Sequence, residues 1–385
     1  MLSSPGSIFL CLFFFTLHNE IYYRFGLHSN EKTMRLDQLT FTRFLAAIAV
    51  VTFHYGRGSI LMDNETLGLF FHQALYGVSY FFILSGFVMM IAYSNKEVKA
   101  KKYFVARFAR IYPLYLCCLF AVVLFNIVLK NPFSFADLLA HLFTVQSWIP
   151  MHAQTLNFPD WSLSVEFFFY ALFPFLINVV YKRFSLTTLT VFILAFWVLS
   201  QFLLTYAVDH WYIPDPSISC DLIHFFPLSH LNEFLLGNLV ALFFLKYKEN
   251  LNSTWNDVLV VASVVLLILL LKYPTSFLYH NGFLAIAFVP LIIFLSGDKS
   301  KIAKIFKWKP LVFLGEISFG IYLLQLPVYL FYQSVFFYLG FTFNFYVFLV
   351  FLIAVAALSY FLIEKPCRDF INSWYAKKTA PHKSN

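Results

Sequence analysis

The stretch RFLAAIAVVTFH, residues 43–54, decides how this chain is read. Ten residues separate an arginine from a histidine, and none of the ten is charged. The run predicts an apolar helix with one ionisable side chain near each end. Eleven positions make almost three full turns, so Arg43 and His54 share a face, with a rise of about 16 Å between them. Ionisable groups on an apolar helix are costly and mark functional candidates when they lie at membrane depth. Two explanations compete. Either the pair lines one cavity that runs partway through a bilayer, or Arg43 reaches the inner headgroups while His54 caps a helix end.

The rest of the chain sets that helix in a membrane. Of 385 residues, 61% are hydrophobic, 21% aromatic and only 12% charged, and mean hydropathy is +0.74. A soluble domain is about half apolar and about a quarter charged. The composition predicts an all-α, polytopic membrane protein. Segments long enough to span fall at roughly 38–56, 67–93, 111–129, 162–181, 186–208, 222–245, 255–273, 278–297, 311–336 and 343–363, about ten transmembrane helices. Nearly all of the 27 Lys and Arg then fall on the side of the N-terminus. Arg57, Lys130 and Lys272 are left on the other side, and Arg43 lies inside a span. This bias predicts both termini in the cytoplasm, and the protein is expected as a multi-pass protein of the inner, cytoplasmic membrane. It also explains the +8 net charge as a topology signal, with membrane lipid rather than nucleic acid as the counterpart.

The five cysteines form no C-x-x-C pair and the eleven histidines no H-E-x-x-H pattern, so neither a disulfide scaffold nor a metal site is expected. Residues 1–33 lack a basic leader region and read as a poorly ordered extension, with Met34 a natural alternative start. The transmembrane domain is expected over 34–370 and a cytoplasmic tail over 371–385. The longest outer loop, roughly 130–161, holds the apolar run Phe135–Phe143, expected as a half-buried helix.

Further polar residues interrupt the apolar runs. In RFARIYPLY, residues 107–115, Arg107 and Arg110 share a helix face. The pair suits either a grip on phosphates or an ordinary inner-face anchor. In PDWSLSVEFFFYALFP, residues 159–174, Trp161 fits an interfacial belt, while Glu166 lies about one turn into a span and needs a partner. His54, from the same side, is the expected one; a carboxylate would fix the histidine tautomer. No G-x-S-x-G elbow surrounds Ser162 or Ser164, so both are expected as helix caps. Asp37, Glu233, Gln325 and Glu364 are the other polar groups at or inside span ends. Gly86 is expected to permit close helix packing.

Together these stretches resemble the acyltransferase-3 family of integral-membrane O-acyltransferases, of the O-antigen and exopolysaccharide O-acetylase type. The likeness runs from about Arg35 to Arg368 and rests on motifs in the family's order: the opening RLDQLTFTRFLAAIAVVTFHYG, FFILSGFVM, the R-x-x-R before IYPLY, WSLSVEFFFYALFP, EISFGIYLLQLPV and the closing IEKP. The resemblance implies transfer of an acyl group, usually acetyl from acetyl-CoA, to a hydroxyl of a surface or lipid-linked glycan at the outer face. On that view Arg107, Arg110 and Arg43 hold the acyl-CoA. His54 acts as general base or as a transient acyl carrier, Glu166 supports it, and Trp161, Gln325 and Glu233 face the acceptor. Family members often carry a histidine where this chain has Gln325, and some add an extracytoplasmic hydrolase-like domain after the last span, where this chain soon ends. A transporter or flippase for a lipid-linked glycan fits the intramembrane charges too, although no repeat symmetry is visible. A non-enzymatic assembly partner would give the arginine and histidine pairs no chemical reason to occur together.

Overall fold

The computed structural model describes residues 36–94, 97–340 and 342–379; the expected extension over 1–33 lies outside them. Every element among the described residues is helical. The principal helices are α1 (Asp37–Tyr55), α2 (Gly77–Tyr93), α3 (Ala100–Leu129), α4 (Phe135–Leu142), α5 (Trp161–Phe175), α6 (Leu186–Trp211), α7 (Ile218–His224), α8 (Leu231–Leu251), α9 (Asn256–Lys272), α10 (Ala285–Leu295), α11 (Lys301–Phe306), α12 (Lys309–Glu316), α13 (Ser318–Tyr338), α14 (Phe345–Ser359) and α15 (Lys365–Thr379).

Seven helical stretches among the described residues are long and apolar enough to cross a membrane, the profile of a polytopic membrane protein. Three further spans expected from the sequence coincide with helices outside that set. Helix α1 carries Asp37, Gln38, Arg43 and His54, which lower its hydropathy. Helix α9 stops after 17 residues, and α10 after 11, with Pro290 inside it. Helix α15 runs straight through the tail boundary expected at 370.

The centre is built by close approach of α2 and α8. A Cβ at Gly86 would lie 2.3 Å from Phe234 O, and one at Gly237 would lie 2.1 Å from Ile83 O. Two backbones can meet this closely only where both surfaces lack side chains. Aromatic rings fill the space around the crossing. Phe169 of α5 stacks on Phe234 of α8, with centroids 4.6 Å apart, and Phe82 of α2 meets Phe169 edge-on at 5.4 Å. A second cluster, with Val51, Ile321, Tyr332 and Phe348 at its centre, joins α1 to α13 and α14. Helix α6 packs on this core through Leu189, Ile193 and Trp197, but only 11% of its most apolar window is buried.

Candidate active site

His54 lies in the last turn of α1 and is partly buried. Its Nδ1 meets Oε1 of Gln325 at 2.8 Å. Gln325 is fully buried on α13, and its Nε2 donates to Tyr322 O at 2.8 Å. The Phe158 ring closes over the imidazole edge-on, 4.7 Å between centroids.

Phe158 belongs to the end of the loop over residues 130–161, and α13 fixes that end in place. Pro327 lies inside α13 and has no N–H, so the carbonyl of Leu323, four residues back, loses its helical donor. Asn157, fully buried, supplies the missing donor: its Nδ2 reaches Leu323 O at 3.3 Å and Asp160 Oδ1 at 2.7 Å. Two residues on, the Tyr322 hydroxyl donates to Pro159 O at 3.2 Å. The loop further uses left-handed backbone at Thr144, Met151 and Leu156, with Met151 N–H held by Asp221 Oδ2 at 2.6 Å. Ser162 and Ser164 do not cap α5 as expected. The helix continues from the turn Phe158–Asp160 and has no side-chain cap. Ser162 instead donates to the Tyr322 hydroxyl at 2.9 Å.

The other charged residues gather deeper along the same side of α1. Arg107 is enclosed by three tyrosine rings, with its guanidinium carbon 6.0 Å from the centroid of Tyr93, 5.7 Å from Tyr103 and 5.7 Å from Tyr170. Arg110, one turn on, is exposed. It stands within electrostatic range of Arg43, Arg107 and Glu166. Glu364 is 7% exposed, ends a π-helical turn, Tyr360–Glu364, and faces Arg110, Arg368 and Arg43. Among the described residues no arginine forms an ion pair with Glu166 or Glu364, so the opposite charges face each other without touching.

Glu166 is therefore not the partner of His54 that its position in the sequence suggested. It accepts from Ser85 Oγ at 3.4 Å and faces the arginines, because α5 meets α2 at that level while α13 meets His54. Trp161 and Glu233, expected on the acceptor's side, are enclosed at 3% and 0% exposure. Glu233 accepts from His230 Nδ1 at 2.7 Å, and Trp161 stacks on His280 at 5.6 Å. Arg43 and Arg110 are thus brought together, His54 and Gln325 are brought together, and Trp161 with Glu233 belongs to a separate buried cluster.

The family model described as an acyltransferase domain, Acyl_transf_3, matches residues 36–364. The chain belongs to the acyltransferase-3 family. The O-acetyltransferase OatA of Staphylococcus aureus is 25% identical over 324 residues, 76% of this chain and 52% of its own. The peptidoglycan O-acetyltransferase OatA of Listeria monocytogenes is 26% identical over 325 residues, 74% of this chain and 48% of its own. The acyltransferase MdmB of Streptomyces mycarofaciens is 34% identical over 161 residues, 39% of this chain and 41% of its own. The chain thus spans about half the length of the curated relatives it matches. No solved structure matches it.

Within this acyltransferase-3 chain, sequence reasoning missed three features: Gln325 as the neighbour of His54, Asn157 as the plug of the Pro327 gap, and the tyrosine cage of Arg107. Only the second left a local signal, a proline inside an apolar run whose freed carbonyl requires a donor from elsewhere.

Proposed function

We propose that the protein is a membrane O-acyltransferase that moves an acyl group, acetyl in the first instance, from a cytoplasmic acyl-CoA to a hydroxyl of a surface or lipid-linked glycan at the outer face. The observation that carries this is the shared face of α1. Arg43 near its start lies in the arginine cluster, and His54 at its end lies under the outer loop against Phe158. The family and its OatA relatives support the chemistry.

In this account both termini are cytoplasmic. Arg110 and Arg43 bind the phosphates of the donor, where guanidiniums give charge-assisted contacts. Arg107, held by its tyrosines, shapes the wall and adds positive potential. Glu166 and Glu364 offset part of the cluster's charge while the donor is away. The pantetheine arm extends from the arginines toward His54 and presents its thioester there. The imidazole takes the proton of the acceptor hydroxyl, and the oxygen attacks the thioester carbonyl. The C–S bond then breaks, and the departing thiolate recovers the proton from the imidazolium. The products are one ester and one free thiol, with no net proton change.

The test is transfer from acetyl-CoA labelled in its acetyl group. Inside-out vesicles containing the protein and a lipid-linked glycan acceptor should accumulate labelled ester. Vesicles without the protein should not. Absence of labelled ester under conditions where the protein binds the donor would overturn the proposal.

A further inference from the structure

Nothing in the proposed reaction yet says which imidazole nitrogen is free to act. We infer that Gln325 is the positioning residue of His54: it holds the proton on Nδ1 and leaves Nε2 as the basic nitrogen. The inference deepens the reading of His54 as general base and rests on it.

The carboxamide can sit only one way round. Its Nε2 donates to the carbonyl of Tyr322 at 2.8 Å. Exchanging the two ends would set an oxygen against that carbonyl oxygen, with no hydrogen between them. The end that faces His54 is therefore Oε1, a pure acceptor. A contact of 2.8 Å between Oε1 and Nδ1 then requires a hydrogen on Nδ1. In the neutral ring this leaves the lone pair on Nε2. Gln325 is fully buried and sits one turn after Tyr322, so neither end is free to rotate toward water. The lock works from outside α1, through a contact between residues 271 apart.

Among the described residues this is the one hydrogen bond recorded for the His54 ring. The titratable side chains on the elements around it are Tyr55 beside it on α1, Tyr322 and Tyr329 on α13, and Asp160 on the loop. Tyr55 packs on Tyr329, Tyr322 is bonded to Pro159 and Ser162, and Asp160 accepts from Asn157. Among the described residues none of these groups is hydrogen-bonded to the His54 ring, which leaves the tautomer to Gln325.

The experiment compares Gln325→Leu, Gln325→Glu and His54→Ala with the full-length protein in vesicles, using acetyl-CoA as donor and reading kcat, donor KM and the pH–rate profile. Gln325→Leu removes the acceptor and lets the ring turn. Its kcat should fall about 10- to 100-fold, part of the roughly 10²–10⁴-fold that a positioned base contributes, with donor KM unchanged. Gln325→Glu keeps the shape and sets a carboxylate beside Nδ1–H, which stabilises the imidazolium. The acid limb of its pH–rate profile should move to higher pH, a shift that loss of packing alone would not cause. Wild-type kcat in Gln325→Leu, or an unmoved acid limb in Gln325→Glu, while His54→Ala is inactive, overturns this inference and leaves the base reading intact. Turnover by His54→Ala overturns both.

Discussion

Arg107 and Arg110 stand one turn apart on α3, yet the first is wrapped by Tyr93, Tyr103 and Tyr170 while the second stays open to solvent. The spacing that places both on one helix face does not give them one task. The tyrosines that enclose Arg107 come from α2, α3 and α5, so it ties three helices together as well as adding charge.

The two arginines should therefore respond differently to truncation. Arg110→Ala should weaken CoA binding by about 1.5–3 kcal/mol, the usual worth of a hydrogen bond to a charged group, with little change in thermal stability. Arg107→Ala should cost about 2 kcal/mol of stability through lost cation–π contact and packing, with a smaller effect on affinity. Calorimetric titration with CoA and thermal unfolding in detergent would separate them. Equal losses of affinity in both variants would restore the view of a two-arginine clamp.

The crossing of α2 and α8 should not tolerate a methyl group. In Gly237→Ala the new Cβ would sit 2.1 Å from Ile83 O, so the helices must part. Overpacking of this kind costs roughly 1–3 kcal/mol. A lowered midpoint of thermal unfolding would show it, and an unchanged midpoint would mean that the two helices slide freely.

The loop over residues 130–161 should loosen in acid. His141 is fully buried, with Nε2 3.2 Å from Thr155 Oγ1. Burial pushes its pKa down to about 4, against roughly 6.5 in the unfolded chain. The folded loop binds this proton less readily than the unfolded one. Its contribution to stability is therefore complete above about pH 6.5 and is lost as the pH falls toward the folded value. Amide exchange across Phe135–Leu142, corrected for intrinsic rates, should rise between pH 7.5 and pH 5. Unchanged protection would mean that the ring is already protonated or is free in the fold.

Sidedness is open to a direct check. Lys99 and Met151 are both exposed and lie at opposite ends of the path between the arginines and the outer loop. Cysteines placed there should react with a membrane-impermeant reagent from the cytoplasmic and the external side, respectively. Labelling of both from one side would remove the basis for a cross-membrane reaction.

Much of the fold was legible because it depends on composition and local pattern. The apolar runs and Gly86 each state a local physical demand, and the helices follow. Helix α1 was legible for the opposite reason: Arg43 and His54 stand out against it, although the same residues lower its hydropathy. The partners were not legible. Glu166 and Gln325 are both polar residues in apolar helices, and nothing local tells which of α5 and α13 meets the end of α1. The choice is made by tertiary packing: Phe169 of α5 meets Phe82 of α2, and Asn157 fills the gap that Pro327 leaves in α13. Trp161 looked interfacial from its neighbours, and only tertiary packing against His280 and His230 encloses it.

If one face of α1 joins a donor site at Arg43 to a reacting base at His54, the variant His54→Ala must lose transfer while keeping the donor. The measurement is acyl transfer to the glycan acceptor by vesicles whose variant protein is shown to bind CoA. Donor affinity should stay close to that of the unaltered protein, and the rate should fall by about 10²–10⁴-fold. Near-normal transfer by the CoA-binding variant would contradict it and leave His54 as no more than the last turn of an apolar helix.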